Sequence, residues 1–372
     1  MFKDSNSTVF ILGAGASWHY GYPTGEELVK KVIQKASIAA HFCQHSRAIS
    51  TQRPNYLSEG QGVNPQWPVL WDKARDDCEK LKAGLEQVKP LVIDYYLGWN
   101  PDLQSIGRLL IAWVILECEH FSQKTNINRG PTEQGRDDWC RFIIHQIAIN
   151  CKGSEDLRLN KVSFVTFNYD VSLEHALCDG LKHIQMFREN DVAAFLGGSR
   201  ITHVYGKIRD VTAVAAGIVW DAQNENPTDL RDAQLINYQV RMKELLDAAY
   251  AASKGLRVID PDDKGTNDTE IMIARTVIAN VSRIFILGYG FDENNSDRLN
   301  LRETLRHDVR LANKRIAFTN YQDINQINKR ASKLFYGARQ FFPPGGPAIQ
   351  DRYEKSIRNT YDALAMDFDL AD

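Results

Sequence analysis

The feature that most constrains this chain is an apolar, β-branched run that ends in glycines: Thr8-Val9-Phe10-Ile11-Leu12-Gly13-Ala14-Gly15-Ala16-Ser17. A continuous apolar run of this length reads as a strand buried on both faces, as in a parallel sheet. Gly13 and Gly15 carry no Cβ, so the turn after the strand lets backbone come close to a phosphate. A helix should follow. Thr24-Gly25-Glu26-Glu27 has capping-box spacing, and Leu28, Val29, Val32 and Ile33 form an apolar stripe. Strand, glycine turn and helix describe a dinucleotide site, with backbone N–H groups aimed at an anion.

The variant of the turn narrows the chemistry. A dehydrogenase fingerprint needs a third glycine where this chain has Trp18, and an acidic ribose ligand about 20 residues on, where it has Gln34 and Lys35. Both departures argue against hydride transfer. Taken alone, a GxG turn serves equally well as a tight strand-to-helix connection with no ligand.

Further segments change that balance. Lys161-Val162-Ser163-Phe164-Val165-Thr166-Phe167 reads as a second buried strand and runs into Asn168-Tyr169-Asp170. Arg200-Ile201-Thr202-His203-Val204-Tyr205-Gly206-Lys207 is a short strand pattern that ends at a glycine. Ile284-Phe285-Ile286-Leu287 leads into Gly288-Tyr289-Gly290-Phe291-Asp292, and Lys314-Arg315-Ile316-Ala317-Phe318 into Thr319-Asn320. In this order, over residues 8 to 320, the pieces resemble the sirtuin-like superfamily, in the bacterial NAD-hydrolysing branch found in anti-phage defence systems. The carrying motifs are Gly13-Ala14-Gly15-Ala16-Ser17, Gly21-Tyr22-Pro23, Thr166-Phe167-Asn168-Tyr169-Asp170, His203-Val204-Tyr205-Gly206 and the strand ending in Gly288. The segments between them resemble nothing familiar.

The resemblance implies a Rossmann-like, doubly wound parallel α/β core and a reaction that splits NAD+, as substrate, into nicotinamide and ADP-ribose. It gives Asn168 the task of orienting the attacking water and the nicotinamide ribose, and makes His203 the general base. Ala14, Ala16 and Ser17 would present N–H groups and a hydroxyl to the pyrophosphate. Gly288, Tyr289, Gly290 and Asp292 would lie on the ribose side, and Thr319 and Asn320 would hold the adenosine ribose. Proteins of this branch and size are encoded with a HerA-type ATPase/translocase and form large hetero-oligomers. The branch acts in abortive infection by depleting NAD+ in the infected cell.

Residue chemistry agrees with those roles without compelling them. Asn168 stands where a strand should end, at the edge where ligands of such folds bind, although an Asn there also satisfies its own turn. An imidazole suits proton transfer at neutral pH, which favours His203, with His19 beside the glycine turn as the second candidate. Asp170 either orients Asn168 or a ribose, or caps the helix beginning Val171-Ser172-Leu173-Glu174; capping is preferred.

Composition sets the class. Lys+Arg number 45 against Asp+Glu 47, a net charge of -2, with no long basic run. Direct nucleic-acid or anionic-membrane binding therefore has no compositional support. The chain begins without a hydrophobic leader, and the apolar stretch Leu109 to Leu116 is too short to span a bilayer, so a cytoplasmic protein is expected. Six cysteines at 43, 78, 118, 140, 151 and 178 form no CxxC pair, and none follows His203. The zinc ribbon of protein-deacylating sirtuins is thus excluded by ligand count, no metal site is expected, and the thiols should be reduced and mostly buried.

The organisation read from pattern is an α/β core (1–36 and 160–330), a helical insertion (37–159) and a C-terminal extension (331–372). Strand signals fall at 162–167, 201–205, 256–260, 283–288 and 315–319. Helices are expected near 69–89, 103–121, 136–150, 237–252, 269–280 and 296–312. Asp191 to Ser199, Pro261 to Thr269 and Ser50 to Pro68 read as loops, Phe341 to Pro347 as a break, and Asp351 to Met366 as a terminal helix. Three functions compete: an NAD+ hydrolase, a non-catalytic module sensing NAD+ or ADP-ribose, and, least favoured, an NAD-dependent deacylase. A hydrolase that kills its own cell must be gated. With no sensor domain recognisable, gating is expected from a homo-oligomer, a partner subunit or both, through the tryptophan-bearing insertion or the extension.

Overall fold

The described strands form one parallel sheet of five. The computed structural model describes residues 7–52, 67–128, 139–149, 151–197, 200–208, 232–258, 265, 268–303, 315–319 and 325–335. The strands are β1 (Thr8–Leu12), β2 (Val162–Thr166), β3 (Ile201–His203), β4 (Arg283–Leu287) and β5 (Arg315–Phe318). Their order is β3-β2-β1-β4-β5, all parallel. This is the order of dinucleotide-binding doubly wound folds, in which the chain reverses direction between β1 and β4 and leaves a crevice at the carboxyl ends.

The alternation within the strands explains why both faces are buried. Every residue of β1 and β4 is buried. On one face Phe10 sits in register with Phe164 and Phe285, and its ring stacks on both, at centroid distances of 5.5 and 5.3 Å. That face packs against Phe142, Ile143 and Ile147 of α5 (Trp139–Ala148), Leu157 of α6 (Ser154–Leu159), and Leu173, Leu177 and Leu181 of α7 (Ser172–Lys182). Val192 and Phe195 complete the cluster from α8 (Glu189–Leu196). This corrects the loop expected from Asp191 to Ser199. Two apolar residues one turn apart enter the core, and the carboxylate of Asp191 pairs with Arg158 at 2.7 Å, so its polarity did not mark solvent.

The described residues fall into two compact units: those within Met1–Tyr20, Asn128–Val204 and Asp262–Asp372, which hold the sheet, and those within Gly21–Ile127 and Tyr205–Pro261. The second unit is helical and includes α1 (Gly25–Gln52), α2 (Trp67–Val88), α3 (Ile93–Trp99) and most of α4 (Gln104–Asn128), with α9 (Asp232–Ser253). Its boundaries differ from those read in the sequence, because the described residues 21–36, 205–208 and 232–258 group with the helices rather than with the sheet. The capping box forms: the Glu27 carboxylate accepts from the Thr24 amide at 2.8 Å and from its hydroxyl at 3.0 Å. The helix it starts does not stop near residue 36. Ala39, Phe42 and Cys43 continue the buried stripe.

Other expectations divide. The helix at 269–280 is α10 (Thr269–Asn280), capped by the Asp268 carboxylate. The strand expected at 256–260 is absent from the described part of that stretch, where Leu256 makes one isolated antiparallel bridge to Gly206. The helix expected at 296–312 is broken. α11 (Glu293–Arg298) ends at Leu299, Asn300 takes a left-handed φ of 52°, and helix resumes at 301–303. α12 (Asn325–Phe335) was not expected, and it crosses the boundary drawn at 331. Residues 53–66, within the loop read at 50–68, and the break and terminal helix at 341–366 lie outside the described residues. All six cysteines are free thiols, four of them buried. Among the described residues no helix is long and apolar enough to cross a membrane.

Within the helical unit, Lys35 of α1 and Glu117 of α4 form an ion pair at 2.8 Å with both side chains largely buried, and the ammonium lies 5.2 Å over the Trp113 ring. Burial pulls the Lys35 ammonium below its ordinary value, against the attraction of Glu117. Lys35→Met alone should therefore destabilise this unit by about 3–5 kcal/mol, since it strands a carboxylate, while Lys35→Met with Glu117→Leu should regain most of that. Urea unfolding of the three proteins checks it. A double variant as unstable as the single one would refute the charge argument. Of the tryptophans, Trp113 is buried in this unit and Trp139 in the sheet unit, whereas Trp99 is 64% exposed.

Candidate active site

The glycine turn after β1 packs directly on the turn after β4. A Cβ on Gly13 would stand 2.5 Å from the Gly288 carbonyl oxygen, and one on Gly15 2.9 Å from the same atom. The turn after β4 thus fills the space that the two glycines leave. The amides are largely committed as well. Gly13 donates to Leu287 O, Gly15 to Gly288 O, Ala16 to Gly13 O and Ser17 to Ala14 O, at 2.9 to 3.2 Å. Trp139 donates its indole N–H to the Ala16 carbonyl at 3.0 Å and clamps the turn from α5. The amides of Ala16 and Ser17, assigned to a pyrophosphate, are in this state spent within the turn.

The other assigned residues gather at the same carboxyl edge. Tyr289 is buried, its ring stacked on Phe167 at 5.2 Å and its hydroxyl 3.3 Å from Ser296 Oγ. The Asp292 carboxylate accepts from the Asn295 amide at 3.0 Å, so it caps α11. Thr319 Oγ1 accepts from the Gly288 amide at 3.1 Å and pins that turn. Gly290 is exposed, and its carbonyl accepts from Arg330 at 3.1 Å. Asn320 and the side chain of His19 lie outside the described residues.

The densest polar cluster joins the ends of β1, β2 and β3. Ser17 Oγ accepts from Asn168 Nδ2 at 2.8 Å, and the Ser17 hydroxyl donates to Asp170. Because the serine proton goes to the carboxylate, the amide must present N–H to the serine, and this sets the orientation of the Asn168 carboxamide. Its other end, Oδ1, is buried and has no hydrogen-bond partner, in a residue only 8% exposed. A buried acceptor left without a donor costs about 1–3 kcal/mol. Such an atom marks a place for a water or a ligand hydroxyl.

Asp170 links the Ser17 hydroxyl to the start of α7, whose N-cap position belongs to Val171. Its carboxylate accepts from the Ser172 amide at 3.2 Å and from the Ser172 hydroxyl at the start of α7, and it also takes the Ser17 proton. Burial pushes its carboxyl above the ordinary range, opposed by Ser172, the nearby His203 imidazole and Ser17. An acid with a raised value favours the fold below its unfolded value, and that contribution is lost as pH rises through the folded one. Asp170→Asn should accordingly remove a decline in stability that the wild type shows as pH climbs from about 4. Urea midpoints at several pH values measure this, and parallel curves would refute it.

His203 ends β3 beside Thr166, with both ring nitrogens engaged. Nδ1 lies 3.0 Å from the Asn168 carbonyl oxygen, which can only accept, so Nδ1 carries a proton. Nε2 lies 2.9 Å from Glu174 Oε1, with the two side chains 6% and 19% exposed. Glu174 had been read only as a residue of the helix after Asp170. What could have singled it out is its place in the first turn of α7, directly after the β2 carboxyl end, where an acid can reach back over the strand ends.

The site therefore unites Ser17, Asn168, Asp170, Glu174 and His203 from three adjacent strand ends. Among the described residues no cluster of three or more His, Cys, Asp or Glu is gathered for a metal ion. Comparison of the chain with protein families, with curated proteins and with solved structures finds no match.

Proposed function

We propose that this chain is an NAD+ hydrolase of sirtuin-like fold, releasing nicotinamide and ADP-ribose. The observation that carries this reading is the buried, unpartnered Oδ1 of Asn168 at the carboxyl edge of the central strands. Cleavage at the nicotinamide ribose passes through an oxocarbenium-like state, as glycoside cleavage does. The leaving group is a cationic pyridinium, so it takes the bonding pair and departs neutral without a general acid. What the protein must supply is alignment, worth several kcal/mol in general. Asn168 Oδ1 can accept from a water or a ribose hydroxyl, which turns an oxygen lone pair toward the anomeric carbon. The new carbon–oxygen bond forms, the carbon–nitrogen bond breaks, and the water gives up one proton.

The same reading makes the protein an antiviral effector that depletes NAD+, gated by self-assembly or by a partner of the ATPase/translocase kind. A second reading has specific support: the spent amides of the glycine turn and the engaged imidazole suit a module that senses NAD+ or ADP-ribose without turnover. The deciding experiment incubates the purified chain with NAD+, alone and with a co-encoded ATPase, and measures nicotinamide and ADP-ribose. Release supports the hydrolase. Binding without release in every condition supports the sensor.

A further inference from the structure

We infer that His203 acts on Asn168 rather than on the substrate, and that Glu174 is the residue that holds it there. This rests on the hydrolase reading of the site. His203 is joined to the reaction at one atom only, through its Nδ1–H to the main-chain carbonyl of Asn168. That contact fixes the peptide carrying the Asn168 side chain, while Ser17, backed by Asp170, fixes its amide end. Two independent tethers therefore aim one carboxamide oxygen.

The second nitrogen is not on offer to a substrate. A carboxylate and a bare imidazole lone pair repel, so the 2.9 Å approach of Nε2 to Glu174 Oε1 requires a proton between them. An imidazole whose one remaining lone pair is occupied in this way cannot take a proton from an attacking water. Of the two carboxylates near the ring, Asp170 is committed to Ser172 and Ser17, which leaves Glu174 as the ring's partner. Glu174 itself is held steady because its helix neighbours Leu173 and Leu177 are packed in the core beneath the sheet. The chemistry tolerates the loss of a base. Water that has bonded to an oxocarbenium carbon is strongly acidic and gives its proton to solvent. Asn168 is then the catalytic residue, and Glu174 and His203 are positioning residues.

The test measures kcat and KM for nicotinamide release by wild type, Glu174→Ala, Glu174→Gln, His203→Ala and the double alanine variant, from about pH 5.5 to 8.5, the span around an imidazole's ordinary range. The two single alanine variants should each lower kcat on the order of 10²-fold, with KM within about twofold of wild type, as misalignment of a reacting group does. The double variant should be no slower than the slower single one, since the pair acts as a unit. Glu174→Gln should recover much of the rate, because its side-chain amide still hydrogen-bonds Nε2, accepting from an Nε2–H or donating to the bare nitrogen. The wild-type kcat should show no acid limb across the imidazole range. An acid limb that His203→Ala removes, or full activity in Glu174→Ala, would overturn the inference and leave the hydrolase reading standing. Wild type without turnover under any condition would overturn the hydrolase reading, and this inference with it. In that case the Glu174–His203 contact is still read by 15N correlation of the His203 ring N–H groups, expected in wild type and lost in Glu174→Ala.

Discussion

Asn168→Ala is expected to lower nicotinamide release by about 10²–10³-fold with the fold intact, the range seen when one preorganised polar group facing a transition state is removed. The reason lies in the wiring of the side chain. Its backbone amide donates to Thr166 Oγ1 at 3.0 Å, its carbonyl accepts from His203 and its Nδ2 donates to Ser17. Only Oδ1 is left to face a reactant. Truncation removes that acceptor and costs the fold one internal hydrogen bond, about 1 kcal/mol. Asn168→Asp should be no better, because it sets a second carboxylate against Ser17 beside Asp170. Steady-state nicotinamide release, with circular dichroism as the folding control, decides the matter. A rate within threefold of wild type would remove Asn168 from the mechanism.

Gly288→Ala is expected to be the most damaging single-methyl change in the sheet unit. Gly288 holds a left-handed φ of 58°, and an added Cβ would lie 2.0 Å from the Ala16 amide nitrogen and 2.3 Å from the Gly15 carbonyl carbon. Both are backbone atoms of a turn that is itself bonded back to Gly288 O, while Thr319 holds the Gly288 amide. Neither side can give way. The left-handed backbone costs about 1–2 kcal/mol for a residue with a side chain. Overpacking adds about 1–3 kcal/mol. Gly290→Ala is the matched control, since nothing lies within 4 Å of its added Cβ. It should change stability by less than about 0.5 kcal/mol. Urea unfolding of both variants measures the contrast, and equal midpoints would show that the two turns do not interlock.

The strands were legible because each is a short apolar run of β-branched and aromatic residues ending in a turn, and such runs have few alternatives. Five of the six expected strands form, within two residues of their expected ends. In the described part of 256–260 the Leu256 amide turns back to the Ser253 carbonyl and the Arg257 amide donates to Tyr205 O, which leaves an isolated bridge to Gly206 in place of a ladder. Helix α8 was missed because the stretch from Asp191 to Ser199 read as a surface loop. The Asp191 charge at its head is neutralised by Arg158, 33 residues away in sequence, and no local pattern can reveal that.

The candidate site was legible in its residues and not in its wiring. Asn168 and His203 could be named through the family resemblance, and Asp170 as a helix cap, while residue chemistry at a strand end agreed with those roles without compelling them. Their partners could not. The glycines of the first turn suggested a close approach by a phosphate; the atom that the missing Cβ groups admit is the carbonyl oxygen of Gly288, 275 residues on from Gly13, because β4 pairs beside β1. By itself the sequence determined the strands, the turns and the types of side chain at the sheet's carboxyl edge, since these follow from local hydrophobic periodicity and backbone sterics. Tertiary structure alone decided which acid meets His203, which hydroxyl orients Asn168 and which polar atom is left open, because hydrogen-bond partners are chosen by strand order rather than by distance along the chain.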